Sequence, residues 1–123
     1  MLKTILFIAI GGAIGSVLRF LTTVLVSKFY SNHFPLATFM VNVIGCFLIG
    51  ILMGFLTKNA LDNSNLKYFL VTGFCGGFTT FSAFGIENVT LLQNNNTILA
   101  FAYMAVSILL SLFAVWLGLF VAK

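Results

Sequence analysis

Four phenylalanines, Phe74, Phe78, Phe81 and Phe84, share the twelve-residue stretch 73–84 (GFCGGFTTFSAF) with three glycines and two threonines. A phenyl ring carries no net charge, but its quadrupole leaves the face negative and the edge positive. Ring edges at helical spacing therefore form a surface that attracts an anion without trapping it, and conduction needs binding weak enough to release. The plainer use of such a stripe is packing. Glycine costs about 1 kcal/mol against alanine inside a helix. Gly73, Gly76 and Gly77, followed at once by Thr79 and Thr80, thus predict a helix that bends or breaks and frees backbone carbonyls. In a bilayer, loosened backbone is tolerated only where protein or a polar cavity covers it. Broken membrane helices of this kind build ion sites.

Other polar residues stand in apolar surroundings. Thr38, Asn42 and Gly45 fall on one helical face. A buried amide needs partners; Asn42 either bonds a neighbouring helix or offers its NH2 group to an anion while its carbonyl holds it in place. Tyr103, Ser107 and Ser111 recur every four residues, a track of hydroxyl donors unless the serines bond back to their own helix. Arg19 is costly deep in a membrane. It snorkels to the headgroups, ties to a partner subunit, or sets a positive charge at the mouth of an anion path. Glu87 follows Phe84 by three residues, as an edge carboxylate or as a gate or relay. Enzyme chemistry finds no footing: with one His, one Asp and one Glu, no triad, carboxylate pair, metal cluster or phosphate loop assembles. Cys46 and Cys75 both fall in apolar segments and read as small buried thiols.

These residues must be positioned by membrane helices. Of the 123 residues, 61% are hydrophobic and 7% charged, where soluble domains carry about 25% charged residues. A span needs roughly 20 apolar residues. The pattern predicts an all-α integral membrane protein, one domain over 1–123, with spans over about 4–27, 33–56, 66–92 and 97–121, the third broken near its middle. Lys3 and the apolar run after it imitate a secretory leader, but the run continues to Val26 and reads as a retained first span. The net charge of +4 favours anionic headgroups over nucleic acid. Four spans put Lys3, Lys58, Lys67 and Lys123 on one side, against Lys28 with Arg19 on the other. The positive-inside rule then places the termini in the cytoplasm. Four helices are too thin a bundle to enclose a pore alone, so an oligomer is expected. The spacings Gly11/Gly15, Gly50/Gly54 and Gly73/Gly77 would let helices approach closely.

Three motifs, in this order and over nearly the whole chain, resemble the Fluc (CrcB) family of fluoride channels. They are GGAIGSVLR at 11–19, TFMVNVIG at 38–45 and GFCGGFTTFSAF at 73–84. The resemblance implies a passive, fluoride-selective channel that exports fluoride and confers resistance to it. It further implies an inner (plasma) membrane protein, an antiparallel dual-topology homodimer and two pores built by both subunits. On the matching positions, Phe81, Phe84 and Asn42 would line the pore, and Ser82, Tyr103, Ser107, Ser111 and Thr38 its polar track. Arg19 and Glu87 would sit at the mouths. The carbonyls of Gly76 and Thr79 would hold a structural Na⁺ at the dimer centre. The chain departs from the pattern at Ala83, where the family usually has Thr, and at Ala37, where Gly is common. Two other classes compete. A small proton-coupled multidrug exporter would need a membrane carboxylate, for which only Glu87 is available. A non-transporting subunit would explain the glycines but not the polar stripes.

Overall fold

A computed structural model describes residues 1–123, all helix and connecting turns. α1 (Leu2–Phe29), α2 (Leu36–Lys58) and α5 (Thr97–Val121) are continuous. The third span is two helices, α3 (65–78) and α4 (Phe81–Gln93), separated by Thr79 and Thr80 in extended conformation. Most of α3, Tyr68–Cys75, is π-helical, flanked by α-helical turns Asn65–Lys67 and Gly76–Phe78. The four membrane-length segments are 28, 23, 29 and 25 residues long, the third counted across its break.

The break has local causes. Gly76 and Gly77 favour helix poorly, and the two threonines after them supply oxygens that replace helical partners. The Thr79 hydroxyl donates to the Cys75 carbonyl at 2.8 Å. The Thr80 hydroxyl accepts from the Ala83 N–H at 3.2 Å and caps α4, the usual role of threonine at a helix start. Two other turns use left-handed residues. Ala60 (φ 56°) ends α2 and Asn95 (φ 63°) ends α4, each followed by an N–H that reaches back five residues, Leu61 to Leu56 and Asn96 to Leu91, both at 2.8 Å. This is the Schellman ending.

Two tight helix pairs make up the subunit, α1 with α3 and α2 with α5, and α4 crosses from the first pair to pack on α5. Glycine sets both seams. A Cβ at Gly11 would strike the Phe69 carbonyl, one at Gly15 the Phe74 carbonyl, and one at Gly77 the Gly12 carbonyl. In the other pair, a Cβ at Gly50 would strike the Val115 carbonyl and one at Gly118 the Phe47 carbonyl. The small-residue spacings serve packing within the subunit. Gly118 has no glycine four residues away, so spacing alone passes it over.

Only 17 of 123 residues are buried, so most of the apolar surface faces outward, as a bilayer permits. The one buried apolar cluster joins Leu91, Ala100 and Tyr103, with Phe34, Phe39 and Phe84 against it. The phenylalanines of the third span do not form a single ladder. Phe74 and Phe78 stack on each other at 5.8 Å before the break, while Phe81 pairs with Phe84 at 5.6 Å after it. Extended residues at 79 and 80 interrupt the helical period that would have aligned them.

Gly118→Val should cost about 1–3 kcal/mol, the usual penalty for overpacking, and lower the melting temperature in detergent. Gly85→Ala, with no atom near its added methyl, should leave that temperature unchanged or raised.

Candidate functional site

Asn42, on α2, faces the break in the third span. Its Nδ2 donates to the Thr80 carbonyl at 3.0 Å and its Oδ1 accepts from the Thr80 N–H at 2.8 Å. The side-chain amide thus pairs with Thr80 as a neighbouring strand would. One of its two N–H donors is used, and the other stays free for another acceptor. Asn42 shares a cavity of about 260 Å³ with Cys46, Thr79, Thr80, Phe81, Phe84, Ser107, Ile108 and Ser111. Four elements contribute: α2 the amide, the break its backbone, α4 the two phenyl rings and α5 the two serines. Ser107 is 6% exposed and its hydroxyl has no hydrogen-bond partner in the protein. A buried hydroxyl left unpaired costs about 1–3 kcal/mol, so this one is a donor in search of an acceptor. Phe81 is 82% exposed although it lines the cavity; one subunit leaves this ring largely uncovered.

Thr38, Glu87 and Tyr103 form a second group. The Thr38 hydroxyl donates to one Glu87 oxygen at 2.6 Å and the Tyr103 hydroxyl to the other at 2.9 Å. Glu87 is therefore neither a free edge carboxylate nor an ion-pair partner of Arg19. Tyr103 is 0% exposed and anchors an aromatic series, with its ring centroid 5.1 Å from Phe84 and 5.2 Å from Phe34. Arg19 Nε donates to the Gly77 carbonyl at 3.0 Å, which ties α1 to the end of α3. Arg19, Thr38 and Glu87 line a cavity of about 210 Å³ with Ala37 and Ala83. The two positions that depart from the family pattern thus lie together, in the charged cavity and not beside Asn42. Thr80 lines both cavities.

The expected hydroxyl track is divided. Ser107 and Ser111 open to the Asn42 cavity, but the Tyr103 hydroxyl turns to Glu87. The reason is that a carboxylate outcompetes a neutral acceptor for a buried hydroxyl. Ser82 is exposed, with its oxygen 3.1 Å from that of Thr80. Gly76 and Thr79 line a third cavity, of about 280 Å³, with Gly45, Thr72 and both cysteines. Because the Thr80 N–H turns to Asn42, the Gly76 carbonyl loses the donor four residues on. The Thr79 carbonyl accepts no hydrogen bond.

Sequence reasoning missed two residues here. Thr80 is the hinge that Asn42 grips; an asparagine opposite an extended Thr-Thr pair is the signal, but it is invisible until the helices are docked. Asn88 is a buried amide, 5% exposed, whose Nδ2 donates to the Phe84 carbonyl at 2.9 Å and whose Oδ1 is unpaired. Its period from Phe84 and Leu91 places it on the packed face of α4, which the sequence offered and the charged neighbour at 87 obscured.

Fold and site together define a multi-pass helical membrane protein with an aromatic and hydroxyl-lined cavity at a broken helix. A family model described as CrcB-like protein, Camphor Resistance (CrcB), matches residues 6–119. A Flavobacterium psychrophilum protein named fluoride-specific ion channel FluC is 52% identical over 122 residues, 99% of this chain and 98% of its own length. Proteins of the same name from Campylobacter fetus (50% over 121 residues, 98% and 94%) and Azobacteroides pseudotrichonymphae (48% over 118 residues, 96% and 94%) are similar along their length. The chain belongs to the CrcB family.

Asn42→Ala should leave the Thr80 N–H and carbonyl unpaired, at about 1–3 kcal/mol for each buried group. A melting temperature in detergent well below that of the parent protein is expected.

Proposed function

We propose that this chain is a passive, fluoride-selective channel of the inner membrane that lets fluoride leave the cytoplasm. One observation carries the reading: Asn42, Phe81, Phe84, Ser107 and Ser111 meet on a single cavity beside the broken helix. Fluoride is small and strongly hydrated, so a narrow path must replace its water with donors. The free N–H of Asn42, the unpaired Ser107 hydroxyl and the edges of Phe81 and Phe84 supply them without a fixed cation. A larger halide would meet a steric barrier. Arg19 and Glu87, in the adjoining cavity, stand where an ion would enter or leave. Ser82 has its hydroxyl 3.1 Å from that of Thr80, beside the cavity, and Thr38 and Tyr103 hold Glu87 in place.

The functional unit in this reading is an antiparallel homodimer with two pores. Its support is incompleteness: Phe81 is largely uncovered, and a four-helix subunit encloses no path. A second copy related by a two-fold axis would cover that ring, since such interfaces are self-complementary. The carbonyls of Gly76 and Thr79 support a structural Na⁺ at the same axis. Both are acceptors without their helical donors, and a hard cation takes oxygen ligands. Two carbonyls from one chain make a partial shell that a second chain would complete. The positive-inside bias and insertion in both orientations pull against each other. A homodimer of one sequence needs both, and a bias of a few lysines leaves that accessible.

Liposomes carrying the purified protein should release fluoride rapidly and chloride negligibly, read with two ion-selective electrodes. Phe81→Ile combined with Phe84→Ile should abolish fluoride release from protein that remains dimeric. Normal conduction by that variant would defeat the reading. A folded, dimeric parent protein that releases neither ion would leave the exporter or the non-transporting subunit. Replacing Na⁺ with a large organic cation throughout purification should lower the melting temperature, and no change would remove the ion from this picture of the dimer.

A further inference from the structure

The largest cavity of the molecule plays no part in the path above. It is an open groove of about 900 Å³ along the seam between α2 and α5. Gly50 and Gly54 give it a floor without side chains, Met53 and Leu119 wall it, and Lys58 and Lys123 stand at its mouth. Lys58 is the last residue of α2, and Lys123 lies two residues past the end of α5. The two helices run parallel, so both ammonium groups fall at one membrane surface. We infer that this groove binds an anionic phospholipid, with its phosphate between Lys58 and Lys123 and an acyl chain along the glycine floor.

Charge complementarity selects the occupant. The chain has six cationic side chains and two carboxylate ones. Glu87 is enclosed by the hydroxyls of Thr38 and Tyr103, and Asp62, the acid nearest the groove mouth in sequence, accepts from the Thr57 hydroxyl at 3.0 Å. Asp62 is the one carboxylate that a second copy could bring to the groove, too little for two lysines, so a copy laid there would leave positive charge unneutralised. A lipid phosphate neutralises both, and its chain matches the apolar walls. Basic pockets between membrane helices on the cytoplasmic side bind anionic headgroups by the same physics.

The test places a reporter in the groove: Met53→Trp in a Trp116→Phe background, reconstituted with phosphatidylglycerol or phosphatidylcholine brominated along the chain. Brominated phosphatidylglycerol at a low fraction of total lipid should quench the fluorescence of the introduced indole, and brominated phosphatidylcholine should need a far higher fraction. Adding Lys58→Gln and Lys123→Gln should raise the phosphatidylglycerol fraction for half-quenching about thirtyfold, from about 1 kcal/mol per lysine near an anionic surface. Lys28→Gln, at the other surface, should not change it. Equal quenching by the two lipids, or a preference that survives loss of both lysines, would overturn the site. Quenching by neither would mean that protein covers the groove, and would overturn it too. Fluoride efflux from the same vesicles reports the pore separately, so a failure here and a failure of the channel reading are told apart.

Discussion

The structure depends on one reciprocal pair of hydrogen bonds, between the Asn42 amide and the backbone of Thr80. Extended backbone in the middle of a membrane span exposes an N–H and a carbonyl where no water can reach them, at several kcal/mol per unpaired group. Asn42 satisfies both groups at once and so makes the break permissible. It also fixes the direction in which α4 leaves, because the amide plane sets the plane of the peptide it pairs with. Everything placed by α4, including Phe81, Phe84 and Glu87, inherits its position from that pair. The released carbonyl acceptors of Gly76 and Thr79 are the other consequence of the same exchange.

Around that pivot the subunit is assembled by close backbone approach more than by side-chain burial. Glycines let α1 meet α3 and α2 meet α5 at distances where a methyl group would strike a carbonyl. Lipid tails are as apolar as leucine, so membrane helices gain little from burying leucine and much from contact between backbones. That explains why so few residues are buried although most are hydrophobic. It also explains the groove between α2 and α5, since helices that touch through glycine leave a side-chain-free channel beside the contact.

The polar groups divide into two compartments that share Thr80. On one side stand an amide N–H, an unpaired serine hydroxyl and ring edges, with no carboxylate. On the other, a carboxylate is held by two hydroxyls and a guanidinium is held by a carbonyl. Keeping Arg19 and Glu87 apart avoids a desolvated ion pair whose attraction seldom offsets its desolvation. It also keeps the negative charge from competing, at the first compartment, with an anion for the same donors.

Composition, apolar run length and the position of Gly and Thr residues are local properties, and the sequence by itself determined what rests on them. Four membrane helices, the interrupted third span and the membrane environment follow from hydrophobicity and helix propensity, which do not need a neighbour to be expressed. Asn42, Phe81, Phe84, Ser107 and Ser111 were legible as candidates because polar or aromatic groups at helical spacing stand out in a lipid-like background. Which of them meet was not legible. Tyr103 shares its helix face with Ser107, yet its hydroxyl belongs to Glu87; Phe78 shares a motif with Phe81, yet two extended residues part them. The glycine spacings announced close approach without saying to what, and the tertiary structure used them inside the subunit. Contact between helices is decided by docking, where the rotation of one helix about its axis by a single residue exchanges one set of partners for another. Only the folded chain chooses among those rotations.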